Sequence, residues 1–447
     1  MQIHPRGAVI LRTRRAGARA RQVAQTAKAK ARWSRRHSAW PDKQASAVAN
    51  RSSANLSITF FALTFFYNIA LSSLVLVVPL YLRHLGVTPV ILGLAASLPP
   101  LVQLGLRLPS GAASDRLGER TVLLAAAGSM LVAAWLLVGA AQGQAAGFVI
   151  AALLLSGFSR AVYWPSAQSY ASRMAGRDVT RTLGLFTSIG HIGAILAPPL
   201  AGALMVRWSF AAGFGLAMSG SLACIAFAWS LRRRPPQQPG EPRATGGEGF
   251  WRSLLAMTRS RPLLFSGLCM AGAAVPLALL SSFYPVYMAD LGIREDAIGV
   301  LSSFRALTAT VSSLALGVLG SRVPGAMIWL ASAGLCGLGL GATAYLTSFA
   351  GLAAAMSVIG LSSGLLQVLS MTIATHASSP QNRAQAMAFT GIFFSITLWL
   401  VPLVMGGVAQ RYGVQSGFAG LGLMWLVLAA ALFGPARALI PPEPPAG

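Results

Sequence analysis

The chain reads as an all-α membrane protein of twelve transmembrane helices arranged as two six-helix repeats. Three observations predict this. Hydrophobic residues fill 55% of the 447 positions and charged residues only 10%, whereas a soluble domain carries about 25% charged residues. Apolar stretches of the length that crosses a bilayer, about 20 residues, recur twelve times. The first half of the chain also aligns on the second without a gap over long runs. Lipid offers no partner to an unpaired backbone group, so each stretch is expected to be a helix.

Residues 1–54 precede the first stretch and form a basic extension, read as disordered. Thirteen of the 35 Lys and Arg lie between Arg6 and Arg51, and Asp42 is the sole acid there. That composition fits an organellar transit peptide, a tail touching anionic headgroups, or translated sequence upstream of the true start. A cleavable secretory signal is excluded, because the apolar stretch from Leu56 to Leu82 is too long for one. The first six spans are expected near 56–82, 90–113, 121–141, 146–172, 180–205 and 210–231, making an N-terminal half of 55–231. Residues 232–260 include Arg232-Arg233-Arg234-Pro235-Pro236 and several glycines, a composition for a hinge and not a span. Six further spans near 261–289, 296–320, 324–346, 349–376, 384–409 and 414–436 make a C-terminal half of 261–437, followed by a tail of 438–447.

The net charge of +25 invites a nucleic-acid reading, which the placement of the charges excludes. Outside the extension, Arg116, Arg120, Arg173, Arg177, Arg181, the linker arginines, Arg322 and Arg383 fall in even-numbered loops. The odd-numbered loops hold only Arg83, Arg207, Arg294 and Arg411. Basic loops stay inside, so both termini and the linker are expected in the cytoplasm, as for a bacterial inner-membrane protein. Cys224, Cys269 and Cys336 each sit in a separate span without metal-ligand spacing and read as small packing residues.

Two runs carry the internal repeat. Pro79-Leu80-Tyr81-Leu82-Arg83-His84-Leu85-Gly86-Val87 aligns with Pro285-Val286-Tyr287-Met288-Ala289-Asp290-Leu291-Gly292-Ile293, and the same register places Gly93 on Gly299, Ser97 on Ser303 and Arg116 on Arg322. A second register places Pro198 on Pro402, Gly202 on Gly406, Arg207 on Arg411 and Gly213-Phe214 on Gly417-Phe418. Parallel six-helix halves facing one another across a cavity are a transporter architecture.

The loop after the second span reads Gly111-Ala112-Ala113-Ser114-Asp115-Arg116-Leu117-Gly118-Glu119-Arg120. It resembles the G-x-L-x-D-R-x-G-R-[KR] loop of the major facilitator superfamily, departing at Ala113 and Glu119. The resemblance covers residues 56 to 437 and implies a permease of that fold. It also implies a gating loop of Gly111, Asp115, Arg116, Gly118 and Arg120, with Asp115 latching onto a helix N-terminus of the other half in one state. An anion is favoured at such a terminus. Ser321 stands where the second half would carry the matching acid. In the fourth span, Ser159-Arg160-Ala161-Val162-Tyr163-Trp164 is similar to the family's motif only at Arg160. In the fifth, Gly190, Gly193, Pro198, Pro199 and Gly202 resemble a helix-contact motif frequent in antiporters, with Ala197 and Ala201 at positions where glycine is usual.

The spans hold no Asp or Glu at mid-depth, yet they hold Arg107, Arg160 and Arg305. Arg107 lies two turns before Asp115 and is placed to snorkel to the surface. Arg160 and Arg305, with His191 as the one mid-membrane group that titrates near neutrality, point to a counter-charge on the substrate. Asn68, Gln103, Tyr163, Trp164, Tyr284 and Gln367 complete the candidate cavity lining. Each of them equally suits packing between helices. The sequence gives no nucleophile with a paired base and no dinucleotide fingerprint, so neither an enzyme nor a cofactor is indicated. The expectation is a secondary transporter of a small organic solute, with an anion as the candidate substrate, working by alternating access. The alternative is a drug or metabolite efflux antiporter of the same superfamily. The partners expected are a small-molecule substrate and the bilayer, with a coupling ion left open, no nucleic acid, no metal and a monomeric state.

Overall fold

The computed structural model describes residues 41–143, 147–174, 179–231, 255–319, 323–379 and 383–440, with the side chains of 41–56, 107–113, 115, 116, 179–181, 317–319 and 384 outside the description. The chain separates into Met1–Ile58, helical over 41–58, and a membrane body of Thr59–Gly447. Among the described residues twelve helices are long and apolar enough to cross a membrane, from Ser57–His84 to Val414–Ala431.

Local chemistry sets where these helices start and turn. Thr88, Ser209 and Ser348 precede the second, sixth and tenth spans and accept from Ile91, Ala212 and Gly351 N–H at 3.4, 3.4 and 3.2 Å. A hydroxyl before the first turn satisfies an amide that the helix leaves unpaired. The turn after the first span uses Gly86 at φ 70°, and its repeat partner Gly292 sits at φ 81°. That left-handed backbone is cheap only without a Cβ. Each turn closes with the same bond, Val87 N–H to the Leu82 carbonyl and Ile293 N–H to the Met288 carbonyl.

One span departs from expectation. Where a continuous helix over 261–289 is predicted, the structure has Arg261–Leu280 and a separate Phe283–Asp290. Pro285 has no N–H to donate to the Ser281 carbonyl, and its ring crowds that group. Proline alone does not break the helix, since the equivalent Pro79 lies inside an unbroken one. The difference is the serine pair. Both the Ser281 and Ser282 hydroxyls donate back to the Ala278 carbonyl, at 3.0 and 2.7 Å, where the first half has Val75 and Leu76. Side-chain bonds of this kind compete with the helix ladder.

Each half packs its helices around a buried tyrosine bond that repeats. Tyr81 donates to the Ala140 carbonyl at 2.7 Å, and Tyr287 donates to the Ala344 carbonyl at 3.4 Å. Both bonds tie the first helix of a half to the end of its third.

The halves meet along two antiparallel helix pairs, the second span on the eleventh and the fifth on the eighth. The contacts are backbone-close. A Cβ added to Gly93 would strike the Pro402 carbonyl, and one added to Gly299 would strike the Pro198 carbonyl. Gly202 lies as tightly on the Glu295 carbonyl, and Gly406 on the Pro89 carbonyl. These are the glycines and prolines of the sequence repeat, paired crosswise. Ser303 Oγ then donates to the Ile195 carbonyl at 2.5 Å, and the His191 ring meets Thr310 Oγ1 at 2.9 Å. Near the surface of the same end, Arg83 Nε meets Asp290 Oδ1 at 2.6 Å, with the side chains 39% and 54% exposed. An exposed pair of this kind contributes about 0–1 kcal/mol, so the close backbone packing holds this end together.

The glycine contacts and the Arg83–Asp290 pair lie toward the odd-numbered loops, while His191 and Thr310 meet past the middle of their spans. Further along the fifth and eighth spans the helices part. Gly184, two turns before His191, has nothing within 4 Å of where its Cβ would be. Leu314, one turn beyond Thr310, is 62% exposed. Among the described residues, this helix pair is therefore backbone-close toward the odd-loop end and looser toward the even-loop end.

Adjacent glycines of the eleventh span test the seam. Gly406→Val places a branched side chain against the second span, whereas Gly407→Val enters open space. Overpacking costs about 1–3 kcal/mol, so Gly406→Val is expected to lower the Tm of the purified protein by several degrees and Gly407→Val to leave it nearly unchanged. Equal shifts would show that the seam does not limit stability.

Candidate functional site

A cavity of about 230 Å³ lies between the halves beneath the backbone-close end. Helical periodicity explains its lining, since residues three, four and seven apart share a face. The first span presents Asn68, Leu71, Ser72 and Val75, and the eighth presents Ser302, Arg305, Ala306 and Ala309. The fourth contributes Arg160 and Trp164, the fifth His191, Ala194 and Pro198, and the tenth Ser363 and Gln367. Ala273, Leu277 and Leu280 of the seventh span and Phe394 of the eleventh complete an apolar wall.

Six of the sequence-predicted residues thus converge: Asn68, Arg160, Trp164 and His191 from the first half, Arg305 and Gln367 from the second. Three others, Tyr163, Tyr284 and Gln103, lie outside this lining, packed between helices. Tyr163 is fully buried and stacks on Tyr67, with ring centroids 3.4 Å apart. Tyr284 is buried and shares a 2.7 Å hydrogen bond with Thr343. Gln103 is buried, and its Oε1 has no hydrogen-bond partner among the described residues. Trp164, four residues after Arg160, enters the cavity, whereas Tyr163, three residues after it, is held against Tyr67 by the rotation of the fourth helix.

The electrostatics of the cavity are unbalanced. Arg160 and Arg305 make no ion pair among the described residues, and the buried Nε of each lacks a hydrogen-bond partner. No Asp or Glu is among the lining residues. An intramembrane arginine costs on the order of 3 kcal/mol, and two on facing walls also repel one another. The neutral lining groups are partly engaged. Asn68 Nδ2 donates to the Thr64 carbonyl at 2.9 Å, and Thr310 Oγ1, which meets His191, also donates to the Ala306 carbonyl at 2.9 Å.

The fifth-span motif faces two ways. Gly190 and Gly193 lie against Asn68 and Phe65 of the first span, while Pro198, Pro199 and Gly202 lie against the eighth. One run of small residues therefore fixes the wall carrying Asn68 and also joins the halves.

At the even-loop end, Gly111, Asp115 and Arg116 fall on the second helix, but their surroundings lie outside the described residues. Gly118, at φ 81°, ends that helix and begins the next. The Arg120 guanidinium stands 5.3 Å over the Trp229 ring. Glu119, which replaces the expected base, is buried; it accepts from Ser169 at 2.6 Å and pairs with Arg173 at 3.2 Å. It clamps the third span to the fourth, a role that loop position alone did not suggest. Sequence reasoning also missed Ser302, Ser363 and Phe394, although Ser302 and Ser363 lie three and four residues from Arg305 and Gln367 and so share their faces.

Comparison with known proteins agrees with this architecture. The model of the Major Facilitator Superfamily matches residues 60–287 and again 267–447, once per half. The multidrug resistance protein MdtG of Enterobacter lignolyticus is 25% identical over 81% of this chain and 88% of its own length. The enterobactin exporter EntS of Citrobacter koseri is 29% identical over 36% of this chain, which spans only 38% of EntS. The nucleoside transporter NupG superposes with a TM-score of 0.72 at 17% identity, covering 86% of this chain and 100% of NupG. An inward-facing, unoccupied bacterial homologue of the lysosomal transporter Spinster gives 0.69 at 14%, covering 87% and 97%. With a matching family model on each half and the fold those structures share, this multi-pass membrane protein belongs to the Major Facilitator Superfamily.

Proposed function

We propose that this protein is a secondary active transporter of small organic anions, working by alternating access, and not an enzyme. The observation that supports the reading is the pair of unpartnered guanidinium groups, Arg160 and Arg305, one on each wall of the central cavity. A carboxylate, sulfonate or phosphate would supply the missing partner through paired N–H donors. The apolar wall around Leu277 and Phe394, with Trp164 beside Arg160, would accept a hydrophobic body. Under this reading the even-numbered loops face the cytoplasm of a bacterial inner membrane, so the conformation that is backbone-close at the odd-loop end and looser at the even-loop end is the inward-open one. The Asp115 loop would then latch the cytoplasmic end once the halves rock over.

Export is the second reading. It is favoured by the names of two relatives, a multidrug resistance protein and an enterobactin exporter, and by the apolar wall, which would suit a neutral or cationic drug as well.

Thermal stabilisation separates the two, because a ligand that binds only the folded state raises its Tm. A panel of carboxylates, phosphates and sulfonates is expected to contain stabilising ligands whose effect is lost in both Arg160→Ala and Arg305→Ala. Stabilisation by hydrophobic drugs alone, untouched by either substitution, would replace the anion reading with the exporter one.

For the latch, Asp115→Asn is expected to slow uptake into proteoliposomes at least tenfold while leaving ligand stabilisation intact. Uptake at the wild-type rate would remove Asp115 from the gate.

A further inference from the structure

We propose that His191 takes up a proton when the anion binds, so that anion and proton cross together. The inference rests on the anion reading of the cavity.

His191 lies where the cavity meets the seam. It lines the cavity with Arg160 and Arg305, and its Nδ1 is 2.9 Å from Thr310 Oγ1 of the opposite half. The roles in that contact follow from a count of hydrogens. Thr310 has one hydroxyl hydrogen, which it donates to the Ala306 carbonyl at 2.9 Å. Toward His191 its oxygen therefore accepts, and Nδ1 carries the hydrogen. A neutral imidazole protonated there keeps its lone pair on Nε2, and no described residue bonds that atom. Uptake of a proton at Nε2 gives an imidazolium with both nitrogens donating, and the bond to Thr310 survives. The ring can thus titrate without opening the seam.

The surroundings determine when it does. Facing it from the eighth span is Arg305 and from the fourth Arg160, while the first span brings only the neutral Asn68 and the tenth Gln367. Tyr67 of the first span is buried against Tyr163 and Ser159, and Cys224 of the sixth is buried. No carboxylate is among the lining residues. In the empty cavity, two guanidinium charges oppose a third positive charge. An anion held between them removes that opposition and attracts the imidazolium directly. Anion and proton therefore favour each other's binding, and the coupling is reciprocal.

The sign of the pH dependence follows. Binding that takes up one proton weakens as protons become scarcer, so anion affinity falls as pH rises, by up to about tenfold per pH unit. Calorimetry on the full-length purified protein, in two buffers of different ionisation enthalpy, counts the protons taken up. The probes are sulfate, benzenesulfonate, benzoate and succinate, all ionised throughout the range used. Wild type is expected to take up close to one proton per bound probe. His191→Gln, which keeps an N–H for Thr310 but does not titrate, is expected to bind with pH-independent affinity and no uptake. His191→Asn is a second non-titrating variant should His191→Gln fail to fold, and the wild-type proton count stands without either. Binding by wild type without proton uptake, or uptake unchanged in a folded His191 variant, overturns the coupling role and leaves the anion reading standing. Failure of every probe to bind overturns the anion reading, and this inference with it.

Discussion

The structure depends on glycine lying against a proline carbonyl. Glycine lets a neighbouring helix come within backbone distance of it. Gly93 on Pro402 and Gly299 on Pro198 make this contact twice, related by the internal repeat. It joins the halves backbone to backbone at one end. The pairings that accompany it, Arg83 with Asp290 and His191 with Thr310, are few and polar. They can be exchanged for water as a cavity opens.

The second constraint is charge. A membrane protein that places two guanidinium groups over one cavity, with no carboxylate among its lining, holds a cost that folding does not recover. Arg173 shows the ordinary solution, since it pairs with the buried Glu119. Under the anion reading, that contrast between Arg173 and the pair formed by Arg160 and Arg305 separates a structural arginine from one that awaits a ligand. Binding would then do more than fill space. An anion touching Arg160 of one half and Arg305 of the other would replace repulsion across the cavity with attraction, and so favour the approach of the even-loop ends.

Much of this was legible in the residues, for identifiable reasons. Span number follows from apolar length, which the bilayer fixes. The halves follow from the repeat, and the repeat recorded the seam: Gly93, Gly299, Pro198, Pro402, Gly202 and Gly406 stand out because both copies keep the same steric requirement. Arg160, Arg305 and His191 stand out because charge is rare at mid-depth. Hidden were features that need a third coordinate. Tyr163 and Trp164 are neighbours of one chemical type, and only the rotation of the fourth helix tells which enters the cavity. The break at Ser281–Ser282 needed the weighing of two hydroxyls against the helix ladder, since the same proline is tolerated in the first half. Glu119 looked like a departure from a loop pattern, and its partners Ser169 and Arg173 lie about 50 residues away.

The seam is symmetric, but what it encloses is not. Arg160 and His191 belong to the first half and Arg305 to the second, and none lies on a repeat-equivalent position. The seventh span is broken where the first is continuous, and Ser321 stands where the first half has Asp115. A duplicated scaffold supplies two superposable halves that can rock about a shared contact. Directionality needs the two ends to differ, and a symmetric pair of gates would leave the two states equivalent. The differences fall where that argument requires them, in the charges of the cavity, in the helix beside it and in the loop that carries Asp115, while the glycine and proline contacts that both halves share stay alike.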